Sequence, residues 1–94
     1  MGRRSSRKLD VVLKPAAIRN LRKLERQDRR RIGDRIDALA AEPRPSGMER
    51  LRGKEGLVRI RVGDFRIIYL VDDEAREVLV VKIKHRHNAY RKLP

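Results

Sequence analysis

Residues 57–70 read LVRIRVGDFRIIYL, two runs of strand-forming residues on either side of the dipeptide Gly63-Asp64. Glycine in the first position of a two-residue loop is typical of a type II′ turn, which joins antiparallel strands without splaying them. The stretch therefore predicts a tight β-hairpin. Counted outward from the turn, the facing pairs are Val62–Phe65, Arg61–Arg66, Ile60–Ile67 and Arg59–Ile68.

The predicted hairpin has two chemically different faces, because successive side chains of a strand point to opposite sides. One face is apolar and is expected to form the core; its members are Val58, Ile60, Val62, Phe65, Ile67 and Tyr69. The other face carries Arg59, Arg61 and Arg66 among aliphatic side chains. Like charges on facing strand residues destabilise a sheet. Three guanidinium groups on one stiff face therefore indicate an anionic ligand.

The charge of the whole chain points the same way. Its 94 residues include 26 Lys and Arg against 13 Asp and Glu, and the pI is near 11.3. Such an excess on one small domain favours nucleic acid as the partner, with a membrane surface as the weaker alternative. No apolar run is long enough to span a bilayer, so we expect no membrane insertion.

Cysteine usage and the N-terminus bear on the compartment. The chain has no cysteine, which excludes disulfides, cysteine zinc sites and a thiol nucleophile and fits a reducing cytoplasm. The opening MGRRSSRK is not followed by an apolar stretch, so no signal peptide is expected. We expect a single domain over residues 1–94, in which residues 1–8 form a flexible basic arm.

The segments before the hairpin predict a strand and two helices. Alternation from Leu9 to Leu13 indicates a short strand with one buried face. Pro15 suits the first turn of a helix that ends between Glu25 and Asp28, and its apolar stripe comprises Ala17, Ile18, Leu21 and Leu24. Asp28 is a suitable cap for a second helix, which must stop before Pro43. Its apolar positions are Ile32, Ile36, Leu39 and Ala40.

The segment EVLVVKIK, from Glu77 to Lys84, predicts a further strand with the same division of faces as the hairpin. Val81 and Ile83 are expected to point to the core, and Lys82 and Lys84 to point away from it, together with Arg86 if the strand continues. A helical hairpin over an antiparallel sheet with one apolar face gives an α+β domain of two layers. The order is an N-terminal strand, an α-helical hairpin and then the antiparallel sheet.

The helices also carry many cations, which we interpret as solvated helix surface with some non-specific attraction for phosphate. These residues are Arg19, Arg22, Lys23, Arg26, Arg29, Arg30, Arg31 and Arg35.

Several motifs together resemble a known family. Leu51-Arg52-Gly53, the block GDFRIIY, the later Lys84-His85-Arg86 and a closing Tyr90 are similar to the RelE/ParE superfamily of bacterial toxins, most of all to RelE-like mRNA interferases. The similarity covers Leu9 to Tyr90. It implies the RelE-like fold and the toxin of a type II toxin–antitoxin system. Such a toxin is a ribosome-dependent endoribonuclease that cleaves mRNA in the A site without a cofactor, and it is silenced within a hetero-oligomer by a cognate antitoxin.

The same resemblance implies roles for individual residues. Arg66 matches the family's catalytic arginine, Arg86 the second arginine and Tyr90 the C-terminal tyrosine, and Arg61 completes the expected catalytic set. Arg59 and Arg61 stand where the best-studied relatives have lysines. The surrounding cations are expected to bind ribosomal RNA and mRNA; they are Arg52, Arg59, Lys82 and Lys84.

The presence of arginines at positions 59 and 61, where those relatives have lysines, leaves the identity of the general base open. Cleavage by the 2′-hydroxyl of RNA needs a proton acceptor, and an arginine, whose pKa stays above about 12, cannot serve. His85 and His87 are the candidates, since histidine titrates near neutrality. Because neighbouring strand residues point to opposite faces, His85 is expected on the face away from Arg86. This placement argues against His85 as the general base. Two histidines without further ligands do not predict a metal site, and the acids at 72–74 have the pattern of a turn.

Two alternatives stay open. One is the ParE branch of the superfamily, which inhibits DNA gyrase and lacks RNA cleavage; the KHR motif and Tyr90 argue against it. The other is a basic RNA-binding module without catalysis, which the charge alone would suit equally well.

Overall fold

The computed structural model describes residues 8–85, which hold two helices and five strands. In chain order these are β1 (Asp10–Leu13), α1 (Pro15–Arg22), α2 (Arg26–Ala38), β2 (Glu49–Arg50), β3 (Leu57–Val62), β4 (Phe65–Asp72) and β5 (Glu77–His85). The predicted N-terminal arm, apart from Lys8, lies outside the described residues, as do Arg86, His87 and Tyr90. In the described part of the chain, neither helix is long and apolar enough to cross a membrane.

The strands form a single mixed sheet in the order β1-β5-β4-β3-β2. Strands β2 to β5 pair antiparallel, as predicted, whereas β1 adds to β5 in parallel. Apolar side chains of both helices, among them Ala17, Ile32 and Ile36, pack with those of the sheet into one core. The expected α+β fold of two layers is confirmed. The sheet face opposite the helices is called the outer face below.

The central hairpin forms with the register predicted from its turn. All four predicted pairs, from Val62–Phe65 to Arg59–Ile68, are present. Gly63, in the first position of the turn, has a φ of +62°. Asp64, in the second position, does not have a positive φ. A positive φ at the first position alone is what a type II′ turn requires. All six side chains assigned to the core face are at most 8% exposed.

Strand β5 contains an irregularity that its sequence did not reveal. Ile68 pairs with Lys82 but the next residue, Tyr69, pairs with Val80, so Val81 is an extra residue in the ladder. Such a β-bulge reverses the alternation of side chains on the bulged strand. The prediction that Val81 faces the core is therefore wrong: Val80 is fully buried and Val81 only partly. Ile83 is buried and Lys82 is exposed, as expected.

The helix boundaries also differ from the prediction. Helix α1 ends at Arg22, where the Lys23 amide donates to the Asn20 carbonyl at 3.2 Å. Helix α2 begins at Arg26 with Glu25 as its N-cap, so Asp28 lies in the first turn and is not the cap. Helix α1 contributes the buried Ala17 and the partly buried Leu21 to the core, and Leu24, beyond the end of the helix, also packs against it. Ile18 follows Ala17 in the sequence and is 39% exposed. The prediction that Ile18 belongs to the apolar stripe is therefore wrong.

Candidate nucleic-acid interface

Cationic side chains occupy neighbouring positions on the outer face of three adjacent strands. Arg61 of β3 pairs with Arg66 of β4, which pairs with Lys84 of β5. These three residues form a cationic row across the sheet. Because adjacent strands are about 4.8 Å apart, all three side chains can approach the same phosphate group. The next row contains Arg59 and Lys82, which flank Ile68.

A cavity of about 210 Å³ lies on the β2 side of this row and is lined by Gly47, Glu49, Arg59, Arg61 and Arg66. We call it the arginine cavity. Strand β2 has only two residues, but its pairing with β3 places Glu49 directly beside Arg59. Among the described residues, the cavity therefore combines three guanidinium groups with one carboxylate.

Glu49 already holds one of these arginines. Both Nη2 and Nε of Arg59 donate to Glu49 Oε1, at 2.8 and 3.0 Å. This hydrogen bond and the charge of Arg59 lower the pKa of the Glu49 carboxyl, and the charges of Arg61 and Arg66 lower that pKa further. Glu49 is consequently ionised at neutral pH. Its carboxylate shows that the arginine cavity favours an anion.

The two ion pairs found within residues 8–85 do not involve the cationic row. Those pairs join Arg44 to Asp73 and Arg59 to Glu49, and neither includes Arg61, Arg66 or Lys84. Arg61 and Lys84 are exposed and Arg66 is partly buried. Their charges are therefore directed to the solvent side of the sheet, where a ligand can reach them.

His85 lies on the other side of the sheet. It pairs with Phe65, a core-face residue, and the two rings meet edge to face with centroids 4.7 Å apart. The structure thus does not bring His85 to the arginine cavity, in agreement with the alternation of the strand. Arg52 is exposed in the loop between β2 and β3 and is not one of the residues that line the cavity.

Two acids at the end of β4 and in the turn after it have structural partners. Asp72 Oδ1 accepts a hydrogen bond from the Ala75 amide at 3.0 Å, and Asp73 pairs with Arg44 at 2.8 Å. Asp73 and Glu74 lie in a turn as predicted, whereas Asp72 is the last residue of β4. Within residues 8–85, no three His, Asp or Glu side chains are grouped closely enough to hold a metal ion.

Sequence reasoning missed Glu49 as part of the site. Strand β2 is too short to be recognised from alternation, and the pairing of Glu49 with Arg59 spans ten residues that include two glycines. The three cavity arginines, in contrast, were found from the alternation of the hairpin alone.

The sequence model of the family described as the ParE toxin of the type II toxin-antitoxin system parDE matches residues 11–90. The chain belongs to this toxin family. Toxin RelE1 of Methanocaldococcus jannaschii is 28% identical over 87 residues, which cover 89% of this chain and 97% of the relative. The predicted RelE/ParE superfamily is therefore confirmed.

Two solved structures with the same fold are toxin–antitoxin complexes. The RelBE2 toxin–antitoxin complex of Mycobacterium tuberculosis superposes with a TM-score of 0.75 at 28% identity, covering 84% of this chain and 92% of the matched one. The archaeal RelE–RelB complex of Pyrococcus horikoshii gives a TM-score of 0.73 at 28% identity, covering 84% of this chain and 96% of the matched chain. This chain is thus a type II toxin by family, with the fold of the RelE-like proteins.

Proposed function

We propose that this toxin is a metal-independent endoribonuclease that enters the ribosomal A site and cleaves the mRNA there, inhibiting translation. The cationic row of Arg61, Arg66 and Lys84 is the observation that carries the proposal. Attack of the 2′-hydroxyl on the adjacent phosphate passes through a phosphorane with additional negative charge. Fixed cations placed where that charge develops lower the barrier.

Arginine suits this task because its planar fork can donate two parallel hydrogen bonds to the non-bridging oxygens of a phosphate. Arg61 and Arg66 face each other at the same register of the hairpin, so they can bind the phosphate from two sides. We propose that Arg86 stabilises the charge that develops on the leaving 5′ oxygen and that Tyr90 stacks on a codon base.

For the proton acceptor we propose Glu49. It is ionised at neutral pH and is the carboxylate that lines the arginine cavity. Its pairing with Arg59 makes it a weak base in the free toxin. A phosphate that binds Arg59 competes for the same guanidinium, which releases the carboxylate and restores its basicity. His87 stays a candidate base from the sequence, whereas His85 is turned toward Phe65.

We further propose that an acidic antitoxin covers the toxin in a hetero-oligomer. The similar M. tuberculosis and P. horikoshii structures are toxin–antitoxin complexes. On the outer face of this chain, an apolar row continues beyond the cations through Val12, Leu79, Leu70 and Leu57, with Val12 39% exposed. An amphipathic, acidic segment that folds on binding would match both the apolar and the cationic row.

Inhibition of DNA gyrase is the second candidate, because the matching family model is the ParE toxin of parDE. A gyrase inhibitor needs a surface for the enzyme but no group that stabilises a phosphorane. The cationic row and the arginine cavity favour RNA cleavage over this alternative.

The decisive experiment adds the purified full-length toxin to a translating extract without added metal and maps the 5′ ends of the message. We expect cuts in phase with the codons. Loss of supercoiling without cuts would support the gyrase inhibitor, and ribosome binding without cuts would support a non-catalytic RNA-binding protein.

Two substitutions connect the activity to the site. Arg66→Ala and Arg86→Ala should each slow cleavage by about a hundredfold or more, since each removes a cation from the developing charge. Ribosome binding, which depends on many cations, should be largely retained. Equal loss of binding and cleavage would show that these arginines only dock the toxin.

A further inference from the structure

The cations of the helical layer are not distributed evenly. Residues 11–24 contain Lys14, Arg19, Arg22 and Lys23 but no acidic residue, and all four side chains are exposed. We call these four residues the α1 basic stripe. On α2, acids alternate with cations: Glu25 and Asp34 line the same surface depression as Arg26, Arg30 and Arg31. Helix α2 with its N-cap thus carries five arginines against four acids, whereas no acid accompanies the four cations of the α1 basic stripe.

Helix α1 runs along an edge of the sheet rather than over its middle. Strand β1 accompanies β5 only as far as Val80, where the Lys14 amide donates to the Val80 carbonyl at 2.9 Å. Beyond this point the Ile83 amide, which points away from β4, donates to Asn20 Oδ1 at 2.9 Å. Since sheet amides lie in the plane of the sheet, α1 occupies the edge that β1 leaves open.

This position joins the stripe to the basic sheet. Ile83, which Asn20 holds, lies between Lys82 and Lys84, and these two lysines point to the outer face. Arg19 and Lys23 stand next to Asn20 along the helix. Positive charge therefore continues from the arginine cavity across β5 and around the sheet edge onto α1.

Local stability does not account for the stripe. Arg19 and Lys23 are four residues apart, a spacing at which like charges destabilise a helix. Lys14 occupies the N-cap without a side-chain hydrogen bond, where an acidic or hydroxyl side chain would bind the free amides. The charges at the C-terminal end do favour the helix dipole, but the N-terminal lysine opposes it.

We propose that the α1 basic stripe is a second RNA-binding surface, which holds the phosphate backbone of structured ribosomal RNA while the arginine cavity holds the message. This inference rests on the proposed ribosomal function and adds a site to it. Phosphates of a folded RNA are spaced along a continuous backbone, and a band of cations around a sheet edge fits such a backbone better than it fits one isolated anion. Catalysis does not require the stripe, whereas docking does.

The test compares two double variants that remove equal charge. Arg19→Gln/Arg22→Gln removes two cations from the stripe, and Arg26→Gln/Arg30→Gln removes two from the compensated surface of α2. Glutamine keeps helix propensity close to that of arginine, and circular dichroism verifies the fold of each variant. Binding of the full-length toxin to 70S ribosomes without message is measured by co-sedimentation between about 50 and about 200 mM salt.

We expect the α1 variant to bind about tenfold or more weakly at the higher salt, with a slope of log affinity against log salt that is shallower by about 1 to 2. The α2 variant should stay close to the wild type. Once the ribosomes are saturated, the α1 variant should cleave message at the wild-type rate. Equal effects of the two variants would show that net charge alone matters and would overturn the proposal.

Cleavage by the wild type and ribosome binding by the α1 variant, taken together, separate this inference from the function on which it rests. If the wild type cleaves in phase with codons and the α1 variant binds ribosomes normally, the stripe is not an RNA surface although the function holds. If the α1 variant binds ribosomes weakly but the wild type never cleaves, the stripe stands and the nuclease does not. Loss of antitoxin affinity or of binding to anionic vesicles, with ribosome binding intact, would assign the stripe to a protein or a membrane and overturn the proposal.

Discussion

At the scale of single residues, the site is an arrangement of fixed cations around one carboxylate. The Arg59–Glu49 pair is exposed, and such pairs contribute little to folding stability. In the proposed mechanism its role is chemical: the carboxylate occupies the arginine cavity until a phosphate competes for Arg59. The free toxin thus pairs the residue that we propose as proton acceptor with a residue that we propose binds phosphate.

Glu49→Gln separates these two roles. The amide cannot accept the proton, so cleavage at saturating ribosome concentration should fall by about 10²- to 10⁴-fold. Removing the negative charge should at the same time strengthen binding of RNA to Arg59, Arg61 and Arg66. Single-turnover cleavage and ribosome co-sedimentation measure the two effects separately. Unchanged cleavage would exclude Glu49 as the base and leave His87 as the candidate.

The pH dependence of the same carboxylate has a defined sign. Because the pKa of Glu49 is lowered, chiefly by the hydrogen bond from Arg59, the ion pair persists at neutral pH and is lost only in acid below the ordinary range of a glutamate. Because Glu49 stays ionised between pH 6 and 8, we expect its titration to cause no change in RNA affinity in this range.

Tyr69 tests the core behind the site. Its ring is fully buried, and its hydroxyl donates to the Pro43 carbonyl at 2.8 Å, which ties the segment after α2 to β4. Tyr69→Phe leaves this carbonyl without its donor and should destabilise the fold by about 1 to 2 kcal/mol in urea unfolding. A cost near zero would mean that water replaces the hydroxyl.

Tyr69 also contributes to stability in alkali. Burial is the main cause that raises its pKa above the ordinary value of 10.0. The unfolded chain then releases the proton first, so the stability from the neutral phenol is complete below pH 10 and declines as the pH rises toward the folded pKa. Tyr69→Phe should lose less stability above pH 10 than the wild type, and parallel losses would contradict this assignment.

At the scale of elements, the prediction succeeded where structure is local. Two residues, Gly63 and Asp64, determined the hairpin register, and with it the positions of Arg59, Arg61 and Arg66. Features that depend on distant partners were missed. The sequence EVLVVKIK allows either alternation in β5, and only packing against β4 selects the one with a bulge at Val81. The parallel pairing of β1 with β5 likewise joins segments that are more than sixty residues apart.

Asn20 connects these distant elements and can be tested directly. Its Oδ1 accepts the hydrogen bond of the Ile83 amide at 2.9 Å, just after the bulge. Asn20→Ala should cost about 1 to 3 kcal/mol in urea unfolding, because the amide loses its partner in a partly buried setting. Asn20→Asp retains an acceptor oxygen and should recover most of the loss. If both variants were equally unstable, a contact other than this hydrogen bond would anchor α1.

At the scale of the whole molecule, the net charge of +13 and the open site have different consequences. Charge alone gives non-specific affinity for any RNA at low salt, which falls steeply as salt increases. The arginine cavity, on the outer face, has a volume of about 210 Å³. It can stabilise charge on a phosphate but has few groups with which to hold the 2′-hydroxyl in line with the leaving oxygen. Under the proposed function, the ribosome supplies that orientation.

The toxin should therefore bind naked message without cutting it efficiently. We expect cleavage of free mRNA to be at least about 10³-fold slower than cleavage of ribosome-bound message, because orientation of the reacting groups accounts for rate factors of this size or larger. Primer extension on both substrates at equal toxin occupancy measures the ratio, and Arg66→Ala serves as the control that binds without cutting. Comparable rates on free and ribosome-bound message would mean that this chain alone arranges the attacking hydroxyl, with groups beyond Glu49 and the cationic row.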